Sequence, residues 1–223
     1  MTIKDLIALY EKKKKKYHNE AYRYISNLLQ EAKSQHFKDF NGVDHEQSWR
    51  SFKGKNLEKL IEYIIKDEVR SLGLDVINGN SLERTDGKNL SKTLGLVKRN
   101  LLVDFGKYGS HLPDVDIVIF DPKDSTIVAV LSCKVTLRER IAQIGYWKIK
   151  LASDIITNNI KVFFITPDED GTLTYKNPIK KSRAIVEKDL DGSYVLSEKN
   201  IEESGKVKMF DRFIDDLRKL IKQ

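Results

Sequence analysis

Residues 113–140 read Pro-Asp-Val-Asp-Ile-Val-Ile-Phe-Asp-Pro-Lys-Asp-Ser-Thr-Ile-Val-Ala-Val-Leu-Ser-Cys-Lys-Val-Thr-Leu-Arg-Glu-Arg. Two β-branched runs, Ile117–Phe120 and Thr126–Leu131, flank Asp121-Pro-Lys-Asp-Ser, whose turn-forming residues predict a hairpin. With the turn centred near residues 123 and 124, antiparallel pairing sets Asp114 and Asp116 across from residues 131–133. Side chains alternate along a strand, so Asp114 and Asp116 share one face, and Ser132 and Lys134 share a face by the same rule. The hairpin therefore gathers two carboxylates and an ammonium at one end.

Charged groups on strands this apolar need a reason. A Mg²⁺ ion supplies one, because it takes oxygen ligands, keeps several waters and neutralises charge on a scissile phosphate. Lys134 beside that phosphate is suited to orient or help deprotonate the attacking water, or to stabilise the transition state. Taken alone, acids at the head of one strand and a lysine at the end of the next are also ordinary turn and surface chemistry. The flanking residues decide between the two.

Upstream, Thr2 predicts the cap of a first helix with Leu6, Ile7 and Tyr10 on one side, and the pattern resumes at Tyr17, Ala21, Tyr24, Ile25, Leu28 and Leu29, ending near Phe37. The run Lys12 to Lys16 lies inside it and reads as a solvated face or as phosphate contacts. Residues 38–55, with Asn41-Gly42 and Gly54, read as a loop before a helix over 56–70. There Leu57, Leu60, Ile61, Ile64, Ile65 and Val69 recur at three and four, and Glu58 and Glu62 share a stripe beside that face. A helix stop and short strand follow at Gly73-Leu-Asp-Val-Ile, then a polar stretch to residue 100 that reads as a DNA-contacting loop or partial disorder.

Downstream, the pattern turns helical from about Arg138, with Ile141, Ile144, Trp147 and Leu151 on one side. Ile160–Thr166 reads as a strand stopped by Pro167, residues 180–187 as a short helical or extended piece, Ser193–Ser197 as a strand and 207–222 as a last amphipathic helix. The order predicts one α/β (α+β) domain spanning 1–223, with a central mixed β-sheet flanked by helices, an N-terminal helical segment at 1–37 and a catalytic core at 56–223.

Lys+Arg 40 against Asp+Glu 33 leaves a formal charge of +7, which favours a polyanionic partner. The single cysteine, Cys133, excludes an internal disulfide framework and a cysteine-rich zinc site. No apolar run approaches the ~20 residues that span a bilayer, so the expectation is a soluble, cytoplasmic protein without a membrane partner.

Pro113-Asp114 followed by Ser132-Cys133-Lys134 resembles the PD-(D/E)xK nuclease superfamily. The continuation to Arg138-Glu139-Arg140 resembles the Arg-(Asp/Glu)-Arg element of type II restriction endonucleases that read CC and GG steps, the CCGG group and its CCNGG-cutting relatives. In that group the lysine motif begins Ser-x-Lys, as Ser132 does here. The resemblance implies a restriction-endonuclease-like core, Mg²⁺-dependent cleavage, and an active-site glutamate from the helix before the sheet, the place Glu58 occupies. The reader has the right chemistry: arginine presents two donors to guanine O6 and N7, and glutamate accepts from cytosine N4. A palindromic duplex presents the same half-site twice, so a homodimer is expected.

One departure stands out. Family members draw a second acid from the helix after the lysine, thirteen or fourteen residues on, and here those positions are Trp147 and Lys148. Asp116 or Glu58 is then expected to join Asp114 as metal ligand, with Gln143 holding a metal-bound water. Either aspartate can be the principal ligand: the preceding proline favours Asp114 and the apolar run that follows favours Asp116. The alternatives are a structure-specific or repair nuclease of the superfamily, and a non-catalytic DNA-binding module on its fold.

Overall fold

The predicted hairpin lies inside a six-stranded sheet. The structure, a computed structural model, describes residues 1–137 and 140–222. In chain order it contains α1 (Ile3–Tyr17), a 3-10 segment (His18–Tyr24), α2 (Ile25–Lys38), α3 (His45–Ser71), β1 (Asp75–Asn78), α4 (Gly79–Arg84) and α5 (Lys92–Asn100). There follow the short ladder of β2 (Val103–Asp104) and β3 (Ser110–His111), then β4 (Ile117–Phe120), β5 (Ile127–Cys133), α6 (Arg140–Ala152) and β6 (Lys161–Thr166). The chain ends through α7 (Lys181–Asp189), β7 (Gly192–Val195), β8 (Val207–Met209) and α8 (Phe213–Leu220).

The sheet order is β1-β4-β5-β6-β7-β8. β1, β4 and β5 pair antiparallel, with Ile117 opposite Leu131 and Val118 opposite Val130, and β5 through β8 run parallel. Nearly every residue of β4, β5 and β6 is buried, which is why these strands read as unbroken apolar runs rather than as alternating ones. α1, α2 and α8 pack on α3, which itself lies on β1 and β5, while α6 packs beside α7.

Three expectations change. α3 begins at His45 rather than at 56, because Asp44 caps it by accepting from the Gln47 N–H, and Trp49 already buries its side chain. An exposed Gly54 inside a helix costs only about 1 kcal/mol, and that packing outweighs it. The polar stretch before residue 100 is ordered into α4 and α5: Asn78 caps one by accepting from the Ser81 N–H, Ser91 caps the other by accepting from the Leu94 N–H, and Leu82 and Val97 anchor them to the core. Residues 207–209 form β8 rather than helix, since Val207 and Met209 alternate into the core beside β7, and the amphipathic helix starts at Phe213. Among the described residues no helix is long and apolar enough to cross a membrane.

Candidate active site

Asp116 sits immediately before β4 and is 3% exposed. Its backbone is fixed on both sides: the N–H donates to the Leu131 carbonyl at 2.9 Å and the carbonyl accepts from the Gly79 N–H at 2.9 Å. Its carboxylate accepts from the Cys133 N–H at 2.6 Å and from the Ser132 hydroxyl at 3.4 Å, and the Lys134 ammonium lies 2.8 Å from both oxygens. Lys134 is held in turn by its own N–H, which donates to the Ile165 carbonyl of β6 at 3.1 Å. The hairpin register thus delivers the acid, the serine and the lysine to one point.

Glu58, buried on α3, faces the same point. Burial first, and the neighbouring Asp116 carboxylate second, push its pKa up to about 7, with Lys134 pulling the other way. Asn80, at the start of α4, donates to Glu58 Oε1 at 3.4 Å. Asp114 also lines the cleft, but it is exposed, and its carboxylate accepts from Gln143 of α6 rather than from Lys134. Asp114 and Asp116 therefore open on one cleft, with only Asp116 in the buried cluster.

The cleft has a volume of about 720 Å³. Lys55, Lys59, Arg84, Lys134 and Arg140 stand along it against Glu58, Asp114 and Asp116, so its wall is electropositive around an acidic centre. Arg140, exposed, opens α6 at the cleft's rim; Arg138 and Glu139 of the expected reader lie outside the described residues. Glu62 faces a separate hollow beside Lys66 and Ile77 and takes no part.

The helix after the lysine carries no substitute acid: Lys148 pairs with Asp191 at 2.5 Å and Trp147 stacks edge-on with Phe105. Among the described residues no group of three His, Cys, Asp or Glu side chains stands ready to hold a metal. The donor set nevertheless fits a hard divalent cation, which binds through one or two carboxylates and keeps its waters. A buried glutamate whose ionisation burial and a neighbouring carboxylate oppose is an arrangement a cation relieves.

Gly79, Asn80 and Arg84 were not singled out from sequence. The available signal was Asn78-Gly79-Asn80-Ser81 directly after a strand, a helix-start pattern that brings α4 against the Asp116 backbone.

A family model described as BsaWI restriction endonuclease type 2 matches residues 93–222. MjaVIP of Methanocaldococcus jannaschii, a protein named as a type II restriction enzyme, is 35% identical over 210 residues, covering 92% of this chain and 91% of that protein. HpyAORF263P of Helicobacter pylori, also named as a type II restriction enzyme, is 34% identical over 165 residues, covering 74% of this chain and 83% of the other. The restriction endonuclease in the AgeI–DNA complex shares the fold, with a TM-score of 0.61 at 16% identity over 90% of this chain and 77% of that one. With an acid–lysine cluster where β4 begins and β5 ends and with these relatives, the chain belongs to the BsaWI family of type II restriction endonucleases and is a site-specific nuclease.

Proposed function

We propose that the enzyme hydrolyses both strands of duplex DNA at a palindromic site containing CC/GG, with Mg²⁺, as a homodimer of a single nuclease domain. The observation that carries this is the Lys134 ammonium 2.8 Å from a buried Asp116, with Glu58 beside them in a basic cleft. Asp116 and Glu58 would hold the ion, with Asp114 at the rim. Bound there, Mg²⁺ supplies positive charge to the scissile phosphate and acidity to its water.

The remaining work falls to the chain. Ser132 and the Cys133 N–H fix the Asp116 carboxylate so that its orientation does not depend on the substrate. Lys134 has donors to spare, and its ammonium is placed to hydrogen-bond a phosphate oxygen or orient the incoming water. Asn80 positions Glu58. Gln143 holds Asp114 toward α6. Arg138, Glu139 and Arg140 begin four residues after the lysine, and each bidentate base contact would contribute roughly 1–3 kcal/mol of discrimination.

Incubation with plasmid DNA tests this reading. Discrete bands that require Mg²⁺ and vanish with a chelator are expected; a smear, or cleavage indifferent to the metal, would rule it out.

A further inference from the structure

Two helices other than α6 wall the cleft. α3 lines it with Gly54, Lys55 and Glu58, and α4 with Asn80 and Arg84, residues about one turn apart on each helix. Gly54 lies in the interior of α3, a helix of 27 residues, where only proline is a poorer helix former. Nothing in the protein asks for glycine there. Its backbone is ordinary helix, and a Cβ built on it would meet no atom within 4 Å. Glycine is the residue that lets a ligand approach the backbone closely, and the open space beside Gly54 is the cleft.

The cations near it are uncommitted. Lys53 pairs with Glu169 at 3.0 Å, whereas among the described residues Lys55 and Arg84, both exposed on the cleft, pair with no carboxylate. Arg84 is nevertheless carried on a helix fixed at both ends: the Asn78 side chain accepts from the Ser81 N–H, and the Lys98 ammonium of α5 donates to the Glu83 and Thr85 carbonyls, each at 2.9 Å. Gly54 and Lys55 stand about one turn from Glu58, and Arg84 one turn from Asn80, which donates to Glu58. A turn is about 5.4 Å and a nucleotide rises 3.4 Å along its strand, so the phosphates within reach lie a few nucleotides from one held at Glu58 and Asp116.

We infer that the α3–α4 wall seats the sugar–phosphate backbone of a DNA strand, with Gly54 leaving room for the strand to lie against the helix and Lys55 and Arg84 gripping its phosphates. The inference rests on the duplex-DNA reading above and adds the surface that holds the backbone. A guanidinium makes two parallel bonds to one phosphate and an ammonium acts on it as a point charge, so neither needs a base. Such contacts set the register of the duplex over the acid–lysine cluster and carry no sequence information.

The test is thermal melting together with binding of an arbitrary-sequence duplex of about 30 base pairs in Ca²⁺, read by fluorescence anisotropy over a salt series. Gly54→Ala should melt above wild type and yet bind the duplex ~10-fold or more weakly, since the added methyl suits the helix and crowds the strand. Lys55→Gln and Arg84→Gln should each reduce the slope of log K against log salt by about 0.9, and Arg84→Lys should keep it. A Gly54→Ala protein that melts lower, or that binds as tightly as wild type, would overturn the seat at Gly54, and a slope unchanged in either glutamine variant would overturn that residue's grip. A wild type that binds no duplex would sink the DNA reading as well, whereas equally tight, equally salt-dependent binding by wild type and every variant would sink this inference alone.

Discussion

Asp116 and Asp114 differ by two positions and by everything that surrounds them. One is buried with three donors on its carboxylate from Ser132, Cys133 and Lys134, and the other is exposed against Gln143. Asp116→Ala and Lys134→Ala should each lower the cleavage rate by at least ~10²–10³-fold while specific binding persists, and Asp114→Ala should cost less than either. Single-turnover rates on one duplex, with binding measured in Ca²⁺, check the ranking; equal losses at both aspartates would contradict it. Glu58 supplies a pH signature. Its folded pKa of about 7 stands above the ordinary 4.5, so the metal-free folded chain binds the extra proton and its stability falls as pH rises from about 4.5 through 7. Glu58→Gln should remove that slope from the difference between thermal melts, and parallel curves for wild type and variant would show that Glu58 does not titrate in this way. From sequence, Pro113-Asp114 carried the family signature, yet the register puts Leu131 opposite Ile117 and so sets Asp116 against Ser132 and Cys133. Alternation alone places both acids on one face and does not say which is buried.

At the scale of the elements, the hairpin and the helix beside it were legible because their patterns are strong. Unbroken β-branched runs, a Pro-Lys-Asp-Ser turn and a three-and-four repeat leave little room for another reading. The stretch of residues 78–100 reads as loop for a physical reason: Asn78 and Ser91 are of residue types that form turns as readily as they cap helices, and the difference shows only once Leu82 and Val97 find the core. That order brings α4 against the Asp116 backbone, whose carbonyl accepts from the Gly79 N–H. A Cβ on Gly79 would stand 1.9 Å from the Val115 carbonyl oxygen, a clash with backbone that no side-chain rotation relieves. Gly79→Ala should therefore destabilise the fold by roughly 1–3 kcal/mol and shift Asp116, lowering activity by more than the loss of stability explains. Urea titration together with cleavage at a temperature where the variant is fully folded checks this. Full activity there would show that α4 does not position the aspartate.

Across the whole molecule, the parallel half of the sheet acts as the frame from which the hairpin presents its acids. Arg183, fully buried on α7, ties that half together: its guanidinium donates to the carbonyls of Leu173 and Glu202 and pairs with Glu187 at 3.4 Å. Removing a buried charge partner leaves polar groups unmatched, so Arg183→Ala should cost about 3–5 kcal/mol, and a melting temperature within a degree of wild type would contradict that role. The basic cleft and the Asp116–Lys134 cluster share one end of the sheet, and Arg140, the first residue of α6, lines the same cleft. The central claim is site-specific, metal-dependent hydrolysis by the Asp116–Lys134 cluster, and sequencing the ends of the DNA fragments tests it most directly. Wild type with Mg²⁺ should leave one set of ends, all at a single palindrome containing CC/GG, and Lys134→Ala should leave none. Ends scattered without sequence preference, or the same ends from Lys134→Ala, would contradict it.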